Sequence, residues 1–466
     1  MRPAARDRPN GKDGSARILA AGIGRLLGAA RRHPVRLALA SLVVLALGLR
    51  VAEYVAEPRP LAGAGLAAEQ AEMARNIVDH GNWFALNQGA YELLKQRQAE
   101  EQQLVDPARV DFSRVDRESK AEPVVDQMPG VAGILAVMWW VTGTETYSPL
   151  QWLQILLDSS MVLVVYWIAV RLTRRSALAL FAALLYALWP KAIIFSTRPL
   201  LDTWAPFFTI ACVASYVWAR ERPELRSRLA LLGLLTGIGV YFRPFVLLLP
   251  GLLALVAPPR GGWRRRLAWF VAPTVIALLL LSPWTIRNYV EFNRLIPTRT
   301  GLGQAVFQGS GRASSDEASK SYVEKRSRAR YGSPSYDQLL LKDAWKGITE
   351  HPGIYLRRVG RRAARYLLPC LLAFLAWRRW RSAALIPVAA VVATVVPYVF
   401  VGDDRRFYLP AFFAYFILLA MAADVVIARM WRSPRVAGWR DALEPSPKLP
   451  RLASRRTASN TPSRER

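Results

Sequence analysis

Cysteine and histidine are scarce in this chain. Its 466 residues contain only two cysteines and three histidines. Both cysteines, Cys212 and Cys370, lie inside apolar runs, which argues against a disulfide framework and against a Cys/His zinc site. Acidic residues are also few, since 34 Asp and Glu face 63 Lys and Arg and leave a formal net charge of +29.

Long apolar runs are abundant, and hydrophobic residues make up 53% of the chain. Runs of about 18 or more apolar residues with Arg clusters at their ends are typical of polytopic membrane proteins. Nucleic-acid binding is the other common cause of a high positive charge. The arginines stand at the ends of the runs rather than along one polar face, so we expect a lipid bilayer as partner and no nucleic acid.

The hydropathy pattern predicts an all-α polytopic membrane protein with about ten spans and both termini in the cytoplasm. Residues 1–34 form a basic tail, 35–429 the membrane domain, and 430–466 a basic tail that we expect to be disordered. Arg clusters that end successive spans fall on one side of the membrane, as the positive-inside rule requires. The predicted spans lie at about 35–56, 149–170, 177–195, 203–219, 229–242, 245–257, 267–284, 366–377, 383–401 and 411–429.

Two long polar segments face the opposite, extracytoplasmic side in this topology. The first, 57–148, contains a short helix from Leu66 that ends at Gly81, a charged insertion at 91–122, and an interfacial helix at 131–143. The second, 285–365, ends in an Arg-rich stretch, 354–366, that is typical of an amphipathic interfacial helix.

Acidic and basic side chains collect on that same side. Arginine binds phosphate in a bidentate manner, and a carboxylate at the same depth suits a general base that acts on a hydroxyl. A lipid-linked phosphate and a hydroxyl acceptor form the simplest substrate pair that needs both groups. The candidates for contact with substrate are Glu69, Asp126, Lys191, Arg198, Asp202, Arg243, Arg287 and Arg406.

Two aspartates near or within spans have more than one interpretation. Asp158 lies in the middle of a predicted span, where it either makes a structural hydrogen bond between helices or faces a cavity. Asp202 lies at the mouth of the fourth span, where it is either a helix N-cap or a site residue.

Four stretches resemble the bacterial GT-C glycosyltransferases of the family 39 type, which include protein O-mannosyltransferases and lipid A aminoarabinose transferases. The resemblance covers about residues 35–430. It is carried by Ser282-Pro-Trp-Thr-Ile-Arg-Asn288 with its continuation to Pro297, Tyr241-Phe-Arg-Pro244, Arg406-Phe-Tyr-Leu-Pro410, and the exit from Pro190 to Asp202.

The resemblance implies inverting sugar transfer from a polyprenyl-phosphate donor to a hydroxyl of an envelope lipid, glycan or protein at the periplasmic face of the inner membrane. It implies Glu69 as the catalytic base, with Glu72 as a rival because the family's Asp-Glu pair is here Ala68-Glu69. It places the second acid on Asp202. The family's arginine falls on Arg406 or, with a slip of one residue, on Arg405.

No metal site is assigned, although a divalent cation stabilises the departing phosphate in some members of that family. His80 is near Glu69 in sequence, and we interpret it as a helix C-terminal residue beside Gly81. A polytopic lipid or polysaccharide transporter or flippase is the alternative function; it predicts inverted repeats and mid-membrane charges, and no repeat is evident. The sequence identifies neither the sugar nor the acceptor.

Overall fold

The structure is a computed structural model, and it describes residues 33–57, 66–85, 122–224, 226–259, 261–310, 332–402 and 405–432. Helices dominate these residues, and the strands β1 (Phe84–Ala85) and β2 (Glu122–Pro123) form one short antiparallel pair. The predicted all-α class is therefore confirmed. The insertion 91–122, except its last residue, and most of both tails lie outside the described residues.

The helices are numbered in chain order. They are α1 Pro34–Ala56, α2 Leu66–His80, α3 Gly130–Thr142, α4 Ser148–Thr173, α5 Ser176–Ala187, α6 Pro190–Ser196, α7 Trp204–Glu221, α8 Arg226–Val240, α9 Leu248–Val256, α10 Trp263–Phe292, α11 Leu302–Ser310, α12 Pro334–Glu350, α13 Pro352–Leu367, α14 Leu372–Trp380, α15 Ser382–Val401 and α16 Phe412–Arg432. Short 3₁₀ turns at Pro244–Leu247, Leu368–Leu371 and Arg405–Ala411 precede α9, α14 and α16.

Five helices of the described part are long and apolar enough to cross a membrane, namely α1, α4, α10, α15 and α16 with the turn that precedes it. The pair α5 and α6 adds a sixth span if the 53° bend between them lies within one crossing. The chain is thus a multi-pass membrane protein. The remaining predicted spans correspond to shorter or less apolar helices, so the number ten stays a prediction.

Two expected interfacial helices are present as helices, α3 at 130–142 and α13 at 352–367. The helix α10 has 30 residues, which is about 45 Å at 1.5 Å per residue. The helix is therefore longer than a hydrocarbon core of about 30 Å. The predicted end of this span at 284 therefore falls within the helix rather than at its end.

Close helix packing sets the middle of the bundle. A Cβ on Gly233 would lie 2.7 Å from Cβ of Ile276, and one on Gly237 would lie 2.6 Å from Cδ1 of Leu280. The two glycines are four residues apart, as in the small-residue motifs that bring membrane helices together. Their missing side chains let α8 lie against α10.

The chain divides into two compact units, residues 1–422 and 423–466. In the first unit, most of the large apolar core lies between α4, α5, α7, α9, α15 and the first turns of α16. Of the second unit, the structure describes only the last turns of α16, to Arg432. The site described below belongs entirely to the first unit.

A buried ion pair joins α1 to α4. Nε of Arg50 lies 2.6 Å from Oδ2 of Asp158, and the other carboxylate oxygen accepts a hydrogen bond from the Tyr186 hydroxyl at 2.7 Å. Nη1 of Arg50 also donates to the carbonyls of Ala46 and Ala187. The structure shows the interhelical hydrogen bond of the first interpretation, and Asp158 also lines a crevice of about 10 Å³ with Lys191 and Asp202.

We predict that Asp158→Ala strongly destabilises the protein, because Arg50 would keep a buried and unpaired charge. Breaking such a pair costs about 3–5 kcal/mol, and the midpoint of thermal unfolding in detergent measures it. Glu221→Ala is the matched control, since it breaks the partly exposed pair with Arg171 and should cost less than about 1 kcal/mol. The double change Arg50→Met with Asp158→Leu should recover most of the loss; equal midpoints for Asp158→Ala and the control would contradict the prediction.

Candidate active site

The main candidate site is a cavity of about 270 Å³ among the ends of several helices. Its wall includes the first turn of α2, the segment after β2, the segment before α7, the loop between α10 and α11, and the turn before α16. The charged and amide side chains that line it are Gln70, Asp126, Gln127, Asp202, Arg243, Arg299, Gln304, Gln308 and Arg406.

Asp202 and Arg243 form one wall. Nη2 of Arg243 lies 3.4 Å from Oδ1 of Asp202, and both side chains are buried. The guanidinium of Arg243 also lies 4.8 Å from the centre of the Phe407 ring. The residue before α7 is Thr203, whose side chain makes no capping hydrogen bond. Asp202 therefore stands in the cavity with an arginine partner, which favours a site role over the N-cap interpretation.

Asp126 also lines the cavity, and its carboxylate packs closely against Gly332. A Cβ on Gly332 would lie 2.7 Å from a carboxylate oxygen of Asp126, and the φ of Gly332 is +75°. Thr300 connects the same segments, because its amide donates to the Val125 carbonyl at 2.9 Å and its hydroxyl to the Gly332 carbonyl at 2.9 Å. Glycine at 332 thus provides both the left-handed backbone and the room that Asp126 needs.

Glu69 precedes Gln70 on α2 and is itself not among the residues that line the cavity. Its side chain is buried, and neither carboxylate oxygen has a hydrogen-bond partner among the described residues. Burial raises the pKa of Glu69 well above its ordinary value, the charge of Asp126 raises it further, and the guanidinium of Arg299 lowers it in part. A carboxyl group with a raised pKa is a stronger base once it has lost its proton.

Glu72, the rival base, is engaged elsewhere. Nη1 of Arg75 lies 2.9 Å from its Oε1, and the same guanidinium contacts Glu145 at 2.9 Å. Neither Glu69 nor Glu72 is among the residues that line the cavity. The structure favours Glu69 because its carboxylate oxygens have no partner among the described residues and its carboxyl group is influenced by Asp126 and Arg299, which do line the cavity.

Arg299 is the residue that sequence reasoning missed. It lines the cavity, and burial lowers its pKa, the neighbouring charge of Arg243 lowers it further, and Tyr398, Asp126 and Asp337 raise it. Arg299 lies two residues before Gly301, in the loop between α10 and α11. The sequence pattern singles out only the arginines at the ends of spans.

The remaining predicted residues divide into two groups. Arg406 lines the cavity as predicted, whereas the side chain of Arg405 lies outside the described residues. Lys191 is exposed and lines a narrow crevice that also reaches Asp202. Arg198 lies 5.0 Å from the centre of the Phe195 ring and does not line the cavity.

Arg287 has a structural position that the sequence did not predict. Its Nη1 donates to the Val124 carbonyl at 2.6 Å and its Nη2 to the Trp83 carbonyl at 3.0 Å. These carbonyls flank the β1–β2 pair, so Arg287 holds the strand pair against α10. It does not line the cavity, and its role as a substrate ligand stays a prediction.

The described residues do not fit a metal site. Among them, no group of three or more His, Cys, Asp and Glu side chains is close enough to hold a metal ion. His80 ends α2, as expected. The positively charged side chains that line the cavity are Arg243, Arg299 and Arg406.

Residues 135–242 match the family model of the dolichyl-phosphate-mannose-protein mannosyltransferases. The match confirms the resemblance to GT-C glycosyltransferases. It contains Lys191, Arg198 and Asp202 but ends before Arg243, and Glu69 and Asp126 precede it. No curated protein matches the sequence significantly.

Several solved membrane enzymes are similar to the chain at low identity. The oligosaccharyltransferase AglB of Archaeoglobus fulgidus, in complex with an inhibitory peptide and a dolichol-phosphate, is 13% identical over 90% of this chain and 53% of its own, with a TM-score of 0.48. ArnT of Cupriavidus metallidurans, bound to undecaprenyl phosphate, is 15% identical over 88% of this chain and 81% of its own, with a TM-score of 0.37. The chain thus spans about half the length of AglB.

We predict that Asp126→Asn lowers the pKa of Glu69, because it removes the negative charge that raises it. Arg299→Met should raise that pKa, because it removes a cation that lowers it. Carbodiimide labelling of Glu69, followed by mass spectrometry against pH, measures the protonated fraction. Glu69→Gln gives the unlabelled control, and midpoints that move in the opposite directions would contradict the assignment.

Proposed function

We propose that the protein is an inverting membrane glycosyltransferase of the inner membrane. It transfers a sugar from a polyprenyl-phosphate donor to a hydroxyl of an envelope acceptor, and its cavity opens to the periplasmic face. The family match to enzymes named for a dolichyl-phosphate-mannose donor supports the donor class. The positive-inside pattern of the Arg clusters supports the orientation.

The observation that carries the proposal is a buried carboxyl group next to a cavity lined by arginines. Neither carboxylate oxygen of Glu69 has a hydrogen-bond partner among the described residues, and its neighbour Gln70 lines the cavity together with Arg243, Arg299 and Arg406. The charges of Asp126 and Arg299, which line the cavity, act on the Glu69 carboxyl group. A transfer reaction needs a base on the acceptor side and positive charge on the leaving-group side, and the glutamines of the cavity can bind sugar hydroxyls.

The chemistry assigns one role to each group. Glu69 takes the proton from the acceptor hydroxyl, and the oxygen attacks the anomeric carbon from the face opposite the lipid phosphate. The bond from the anomeric carbon to the phosphate oxygen breaks, and the polyprenyl phosphate leaves with the electron pair. Arg243, Arg299 and Arg406 stabilise the negative charge that develops on the phosphate.

Asp202 and Asp126 position these groups. Asp202 keeps Arg243 at the wall through the 3.4 Å contact. Asp126 increases the basicity of Glu69 by its negative charge. Hydrolysis would instead need two carboxylates that flank the bond and an activated water, and transfer needs neither.

The charge distribution is less suited to a transporter or flippase. That function predicts charged groups at mid-membrane that face a pathway. The buried pair of Arg50 and Asp158 is instead hydrogen-bonded within its own helices and to Tyr186, and the crevice that Asp158 shares with Lys191 and Asp202 has a volume of only about 10 Å³. Its bonds serve the packing of α1, α4 and α5.

We predict that Glu69→Gln reduces sugar transfer by about 10²–10⁴-fold, the usual contribution of a general base. Transfer of radiolabelled sugar from the polyprenyl-phosphate donor, in membranes that contain the full chain, measures it. Glutamine keeps the size of the side chain and removes a buried charge, so thermal stability should not fall.

Glu72→Gln is the matched control, one turn further along α2, and should retain most of the activity. If Glu69→Gln and Glu72→Gln both leave transfer intact, the assignment of the base is wrong. If only Glu72→Gln abolishes transfer, the base is Glu72. Asp202→Asn should weaken transfer, because it releases Arg243. If neither Asp202→Asn nor Glu69→Gln changes the rate of transfer, the reaction takes place at another site.

A further inference from the structure

A second cavity, of about 340 Å³, lies next to the first. One side is the end of α11, with Gln308 and Gly309, and the other is the basic face of α13. Five arginines of α13 line it, namely Arg357, Arg358, Arg361, Arg362 and Arg365. The proposed sugar transfer gives these arginines no role.

Arg362 forms the buried end of this second cavity. It is only 3% exposed, and it donates to the Gly309 carbonyl at 3.0 Å and the Arg358 carbonyl at 3.2 Å. Its Nη1 is buried and lacks a hydrogen-bond partner in the described part of the chain. A buried guanidinium with an unused donor is costly unless an acceptor joins it.

The positive charge around Arg362 is not balanced by carboxylates. Within the ranges that the structure describes, none of Arg357, Arg358, Arg361 and Arg362 forms an ion pair with an acidic side chain. Like charges this close repel each other. A bound anion with several acceptor oxygens would remove that repulsion, and phosphate fits the fork of donors that arginine presents.

Apolar side chains stand beside the arginines at the surface. Ile354 and Leu356 on α13 are exposed, and so are Leu368 and Leu371 in the turn that follows it. A helix with one strongly basic face and exposed apolar residues is typical of the membrane interface. The anion is thus expected to belong to an amphiphile whose chains lie in the bilayer.

The two cavities share a side chain. Gln308 lines both of them and is exposed between them. A group bound among the arginines of α13 therefore lies beside the cavity that Gln70, the neighbour of Glu69, and Asp126 line.

We propose that the second cavity binds a phosphate group of the acceptor, which makes the acceptor a phosphate-bearing amphiphile of the envelope. The inference rests on the proposed function, because it names the class of the second substrate. The phosphate lies among Arg358, Arg361 and Arg362, and the hydroxyl that receives the sugar reaches past Gln308 to Glu69.

Binding is tested first, with the full chain in phosphatidylcholine nanodiscs. Phosphatidic acid is the probe, diacylglycerol the uncharged control, and inorganic phosphate the soluble competitor. The double variant Arg358→Gln with Arg361→Gln should lower the affinity for phosphatidic acid about tenfold or more. The matched control is Arg264→Gln with Arg266→Gln, two exposed arginines of α10, and it should bind as the wild type does.

Equal affinities in the two double variants would overturn the inference. An affinity for inorganic phosphate equal to the affinity for phosphatidic acid would also overturn the inference, because the site would then bind free phosphate rather than an amphiphile. Thermal unfolding of both variants separates a loss of binding from a loss of fold.

Transfer is tested second, with an envelope lipid extract as acceptor. Treatment of the extract with alkaline phosphatase, removed before the donor is added, should reduce acceptance of the sugar. The variant at Arg358 and Arg361 should raise KM for the extract and leave KM for the donor unchanged. If the wild-type enzyme is active and the variant leaves both KM values unchanged, the phosphate site is refuted and the proposed function is not. If the wild type is inactive but still binds phosphatidic acid through these arginines, the proposed function is refuted and the phosphate site is not.

Discussion

The ion pair between Arg50 and Asp158 is the interaction on which the arrangement of the first helices depends. A charge buried among apolar helices must be neutralised where it stands. Arg50 donates three hydrogen bonds, to the Asp158 carboxylate and to the carbonyls of Ala46 and Ala187. These contacts fix α1 against α4 and α5. The chain that leaves α1 leads to α2 and Glu69, while α5 continues through α6 to Asp202. The two carboxylates thus belong to segments that leave a shared, fixed bundle.

The same rule about buried charge explains the difference between the membrane interior and the cavity. Around Asp158, each carboxylate oxygen accepts a strong hydrogen bond. Around Glu69, neither oxygen has a partner among the described residues. The first arrangement is a hydrogen-bonded ion pair that joins α1 to α4 and α5. The second keeps a costly group that further binding or chemistry can use, which is the usual sign of a site maintained for function.

Hydropathy and charge predicted the helical class, the long spans and the amphipathic helix α13, because these depend on local sequence alone. They did not separate structural from cavity-lining arginines, because that depends on contacts across the chain. Arg287 and Arg243 both lie near span ends in the sequence. Arg287, however, donates hydrogen bonds to the carbonyls of Trp83 and Val124, which are 204 and 163 residues away along the chain. Arg299 was missed for the converse reason, since no local pattern marks a residue whose position is set by tertiary packing.

The distribution of arginines also bears on how two substrates could meet. The cavity beside Glu69 mixes both signs of charge, with Asp126 and Asp202 against its arginines, so it suits a reaction in which charge moves from a base to a leaving group. The cavity along α13 is lined by arginine alone among its charged residues, so it suits a group whose charge does not change. A donor phosphate, which gains negative charge during transfer, suits the first cavity. An acceptor phosphate, whose charge does not change, suits the cavity along α13. Gln308, between them, separates the reacting anion from the anchoring one.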